Sequence, residues 1–187
     1  YDETNNTGTD NAIAFTRAIN HIGKYYNGIS IKITGQYYIG TSIETQYDVN
    51  IQGSHSNSRN LLGRAVDKGE ISSPSLLGIG ANVTAFSMVG RGATAKFCNF
   101  SIKNIKIVGA NTANFINYTA EGSPSRLSVV EGVEVSGINN FIEIVKDDAD
   151  TMLAGLSIIG CYVYNINKCL NVYSTKVNNA WVSTIAN

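Results

Sequence analysis

The sequence predicts an all-β chain, a right-handed single-stranded parallel β-helix with an N-terminal capping α-helix, and three observations predict it. Apolar-x-apolar segments recur at a fixed interval of 28 residues, asparagines recur behind them at the same interval, and one amphipathic helical pattern stands alone near the start. The elements divide the chain into an N-terminal segment, residues 1–28, and β-helix coils over residues 29–187.

The helix is predicted over Asp10 to Ile22. Ala12, Phe15, Ile19 and Ile22 fall on one face at helical spacing, with Ile13 and Ala18 beside them. Asp10 is the expected N-cap and Gly23 the expected stop. After it, Ile29, Ile31 and Ile33, then Tyr37 and Ile39, then Tyr47, Val49 and Ile51 alternate with polar residues between Gly and Asn breaks, the pattern of short strands.

The repeat then takes over. Ile51, Ile79, Ile107, Val135 and Val163 are spaced by 28, and two positions earlier Val49, Leu77, Ile105, Val133 and Cys161 repeat with them. Asn111, Asn139 and Asn167 keep the same interval, followed by buried pairs at Phe115-Ile116, Phe141-Ile142 and Cys169-Leu170, the first displaced by two residues. If each repeat is one coil, like residues stack about 4.8 Å apart. Branched side chains suit the inner ladder, and asparagine suits the turn ladder because it tolerates left-handed backbone and can bond the next rung. A leucine-rich repeat is disfavoured, because its Asn lies three residues behind the last strand apolar rather than four and each repeat lacks a helix. A β-sandwich has no reason to repeat one Asn at a fixed period.

Fourteen basic and fourteen acidic side chains cancel, which argues against nucleic acid or anionic lipid as partner. No apolar run approaches membrane-spanning length, so no membrane insertion is expected. Cys98, Cys161 and Cys169 lack metal or disulfide-framework spacing, so no metal is expected and folding in a reducing cytosol fits. Cys161 and Cys169 fall in the columns of Val133 and Phe141 and read as packed thiols. Tyr1 and Asn187 read as the cut ends of a segment from a longer protein, truncated before the natural end of the β-helix.

The stretch Asn6-Thr7-Gly8-Thr9-Asp10-Asn11-Ala12-Ile13-Ala14-Phe15-Thr16-Arg17-Ala18-Ile19 resembles the D-G-x-T-D-D-T-x-A-I-Q-x-A-I opening of pectate-lyase-like proteins, commonest in bacteriophage tailspikes and capsule depolymerases. Gly28 to Gly53 is similar to the strand run that follows it there, although a proline and one glycine are missing. The resemblance implies a helix capping the open end of the β-helix and a homotrimer on a virion tail, folded in the host cytoplasm and acting outside it. It also implies a bacterial surface polysaccharide, O-antigen or capsule, as the partner. It implies no cofactor and carries no catalytic motif common to the family.

Outward columns are where such a fold meets a glycan. Lys106, Glu134 and Tyr162 form one predicted column and Val108, Ser136 and Tyr164 the next, either a glycan-binding face (Lys106, Glu134, Tyr162, Tyr164) or an ordinary solvated face or subunit contact. Glycoside hydrolysis usually needs two carboxyl groups. Glu131 and Glu134 are one pair, on opposite sides of a strand unless Gly132 marks a bulge. Asp147, Asp148 and Asp150 cluster in a connection that carries either chemistry or solubility. A lyase base could come from Lys106, Arg91, Arg126 or Tyr162, while His21 and His55 lack an evident nucleophile partner, and Trp181 is a sugar platform or the edge of another coil. Three readings follow: a polysaccharide depolymerase, a structural or adhesive β-helix without catalysis, and a pectin-type lyase or epimerase.

Overall fold

The computed structural model describes residue 2 and residues 5–26, 29–54, 75–91, 99–121, 125–146, 153–174 and 181–186. It is mostly β, with one helix and two parallel sheets.

Helix α1, Ala12–Tyr25, buries Ala12, Phe15 and Ile19 against the core, as its spacing predicts, whereas Ile22 is only half-buried and Ile13, expected beside this face, is exposed. Burying one such side chain stabilises by about 1.5–3 kcal/mol, so this face, rather than helix propensity, holds α1 in place. The N-cap is Asn11 rather than Asp10, and its side chain does not bond the helix; its backbone N–H donates to the Tyr38 carbonyl at 2.8 Å and its side-chain oxygen accepts from the Tyr38 N–H at 3.1 Å. Asp10 accepts from the N–H of Ala12 at 2.9 Å and of Gly40 at 2.8 Å, and from the Thr41 hydroxyl at 2.7 Å. The helix does not stop at Gly23. A side chain at Gly23 would strike the Tyr47 ring, so this glycine admits a neighbour instead of ending the helix.

The strands are β1 (Ile31–Lys32), β2 (Gln36–Ile39), β3 (Ile43–Thr45), β4 (Val49–Gln52), β5 (Leu76–Ile79), β6 (Thr84–Arg91) and β7 (Phe100–Lys103). They continue with β8 (Lys106–Glu121), β9 (Ser125–Glu131), β10 (Glu134–Lys146), β11 (Leu153–Ile159), β12 (Tyr162–Tyr164), β13 (Lys168–Ser174) and β14 (Trp181–Ala186). One sheet runs β1-β4-β7-β9-β11-β14; the other runs β2-β5-β8-β10-β12, with β3-β6 joining at β8 and β13 at β10. Every pairing between named strands is parallel, and along the first sheet the strands lie in chain order.

In the later repeats the register is the predicted one: Val135 pairs with Ile107 on one side and Val163 on the other. Earlier it is not. Ile107 faces Leu77, whereas Ile79 faces Gly109, and Ile51 belongs to the other sheet, between Ile31 and Ile102. A slip of two residues leaves every side chain on its own face, so alternation alone cannot distinguish the two registers.

Two corners set the strand directions. Asn104, Gly132 and Gly160, all with positive φ (51°, 61° and 58°), lie between a strand of the first sheet and a strand of the second. Farther along, Gly137 and Asn165 (63° and 51°) bend the second sheet, and a side chain at Gly137 would strike the Gly109 carbonyl. Inside, a file of rings runs from Phe15 through Phe86 and Phe115 to Phe141, with successive centroids 6.2, 5.7 and 5.6 Å apart.

Candidate functional site

The column predicted from spacing is present. Lys106 pairs with Glu134 and Glu134 with Tyr162; Val108 pairs with Ser136 and Ser136 with Tyr164. Strand alternation puts both sets on the outer face, where Tyr162 is 44% and Tyr164 39% exposed, while Val135 between them is fully buried. The two rings sit 5.1 Å apart at 45°, and the Tyr164 hydroxyl donates to Glu134 Oε1 at 3.1 Å. That bond fixes the tilt of a ring otherwise free to turn. On the earlier side the column meets buried Leu76 and then Gly78 opposite Val108, so its polar and aromatic character belongs to the last three repeats.

The carboxylate pair is arranged differently from expectation. Gly132 is a left-handed corner rather than a bulge, so Glu131 ends β9 in the first sheet and Glu134 begins β10 in the second. Glu131 Oε2 takes Lys103 Nζ at 2.8 Å, an exposed pair worth little in stability, whereas Glu134 accepts from Tyr164. Asp147, Asp148, Asp150, His55 and Cys98 lie outside the described residues, as do the side chains of Arg91, Arg126 and Trp181. His21 packs its ring 5.1 Å from Tyr25 and 5.8 Å from Tyr26 at the end of α1.

The thiols divide. Cys161 is half-buried, with its sulfur 3.5 Å from the Ile159 carbonyl, and desolvation pushes its pKa up. Cys169 is exposed rather than packed, because among the described residues β13 pairs with β10 and no strand covers its other side; partial desolvation still pushes its pKa up.

One polar set escaped the sequence reading. Glu44, Ser87, Asn117, Glu143 and Asn171 stand in register across β3, β6, β8, β10 and β13. Glu143 accepts from Asn171 Nδ2 at 2.9 Å and from Asn117 Nδ2 at 3.2 Å, one amide on each carboxylate oxygen. At the helix end of this file, Glu44 lines a cleft of about 230 Å³ with Asn20, Thr45, Gln46, Tyr47 and Val89. The signal was available: Asn117 and Glu143 directly follow the recognised apolar pairs Phe115-Ile116 and Phe141-Ile142.

Among the described residues no three His, Cys, Asp or Glu side chains gather to hold a metal ion, and no helix is long and apolar enough to cross a membrane. No family model, curated protein or solved structure matches the chain.

Proposed function

We propose that this chain is a segment of a right-handed parallel β-helix of the tailspike kind, and that its outer face binds a bacterial surface polysaccharide. The observation carrying this reading is the exposed Tyr162–Tyr164 ring pair, locked by the Tyr164 bond to Glu134 and continued by Lys106 one strand away. Rings with an apolar face and a polar edge suit sugars, which offer C–H patches and hydroxyls together. A ladder of parallel strands offers such groups repeatedly along a line, as a linear polymer does. The coil reading itself is supported by the parallel pairing of the named strands and by the 28-residue register from Lys106 through Glu134 to Tyr162.

In this proposal the working assembly is a homotrimer on a virion tail, where the segment takes part in host adsorption and depolymerisation. A second reading, adhesion without cleavage, is favoured for these residues by one observation: Glu131 and Glu134 start from different sheets and are engaged by Lys103 and Tyr164, respectively.

The test is to incubate the protein with purified O-antigen and capsule polysaccharides and to follow polymer size by chromatography. Discrete oligosaccharides establish a depolymerase, and product mass separates hydrolysis from elimination. Retention of intact polymer supports adhesion, and a panel without binding or shortening removes the glycan reading altogether.

A further inference from the structure

The glycan face is zoned by charge. On either side of the Asn104–Gly132–Gly160 corner, Lys103 stands opposite Glu131 and Lys106 opposite Glu134, one cation to each carboxylate in adjacent strands. The Lys103–Glu131 contact is closed at 2.8 Å. In the next strands the same columns carry Ile159 and Tyr162, and the adjoining column carries Tyr164, all three exposed. Their neighbours Ser101, Val129 and Ser157 in the first sheet and Val108 and Ser136 in the second are uncharged, and farther along the second sheet Glu143 and exposed Lys168 add one charge of each sign.

We infer that this face selects an uncharged polysaccharide over an acidic one. The inference rests on the glycan-binding reading above and narrows it. A polymer carrying a carboxylate on every second or third sugar would meet Glu131 and Glu134 as often as Lys103 and Lys106, and among the described residues of this face the charges balance, so they set up no net field to draw it in. It would still lose hydration on docking, and Lys103 is already bound to Glu131. A neutral chain avoids that cost: its sugar faces settle on Tyr162 and Tyr164 and its hydroxyls exchange hydrogen bonds with the charged rungs.

The experiment is direct binding of the intact protein to two matched sets of bacterial polysaccharides, one neutral and one uronate-bearing, by calorimetry between about 0.05 and about 0.5 M salt, a range across which screening changes severalfold. Neutral polymers are expected to bind, with affinity changing by less than roughly twofold across that range, and Tyr162→Ala is expected to weaken them roughly tenfold. Glu131→Gln, which releases Lys103, is expected to create salt-sensitive binding of the uronate set. Preference of the unaltered protein for uronate polymers, or affinity falling steeply with salt, overturns the inference and leaves the glycan reading standing. No binding to either set overturns both.

Discussion

The side-chain amide of Asn167 donates to the carboxamide oxygen of Asn139 at 3.0 Å, joining two residues 28 positions apart. Asn139 in turn donates to Asn114 at 3.2 Å, not to Asn111, which is taken up in a left-handed turn at φ 60°. Asn139 is thus the middle rung of a side-chain ladder. Asn139→Ala removes both bonds and is expected to cost about 1–2 kcal/mol. Denaturant unfolding followed by circular dichroism measures this, with Asn111→Gly, which keeps the left-handed backbone there and leaves both rungs intact, as the comparison.

Val135 tests the inner register. It is fully buried between Ile107 and Val163, so Val135→Asp brings a carboxylate into the apolar file with no cation beside it and is expected to cost at least about 3 kcal/mol. Ser136→Asp, one residue on and on the outer face, is expected to change stability by less than about 0.5 kcal/mol. Equal effects on the melting temperature would contradict the assigned faces.

The bend at Gly137 makes a similar demand on the backbone. Its φ of 63° is costly for other residues, and the Gly109 carbonyl occupies the space a methyl group would need, so Gly137→Ala is expected to destabilise by on the order of 1–3 kcal/mol. Gly35→Ala, where nothing lies within 4 Å, is the control and should melt with the unaltered protein.

Asp10 should make stability depend on acid. Desolvation pushes its carboxyl up, but hydrogen bonds from Ala12, Gly40 and Thr41 outweigh this and hold it below the ordinary value of 3.8. A depressed folded value means that Asp10 stabilises the fold above its unfolded value and loses that contribution as pH falls through the folded one. Asp10→Asn is therefore expected to melt lower than the unaltered protein near neutral pH, with the gap closing below pH 3.8. Thermal melts across an acid series check this, and a gap that widens in acid would contradict it.

Which parts were legible in the sequence follows from the same geometry. The columns through Lys106, Glu134 and Tyr162 could be aligned because their strands keep one spacing and start at like corners. Ile79 was misplaced because Leu77, two residues away on the same face, satisfies the alternation equally well, and Ile51 because spacing carries no record of which sheet a strand joins. The helix was legible from its apolar face, but Gly23 was not, since its role lies in its contact with Tyr47, a residue outside the helix. Exposure of Cys169 depends on which strands cover β13, and its position in the Phe141 column carries no record of that. Glu143 was overlooked because the reading followed apolar positions, while its meaning comes from asparagines on two other strands.

Whether the proposed glycan lies on the outer face at Tyr162 and Tyr164 is decided by titrating the protein and its Tyr162→Ala/Tyr164→Ala variant with a surface polysaccharide that the unaltered protein binds. Both rings are exposed and leave the core intact when truncated, so the variant is expected to keep its melting temperature within a few degrees and to lose binding by roughly tenfold or more. Unchanged affinity in a folded variant would place the glycan elsewhere and contradict the account.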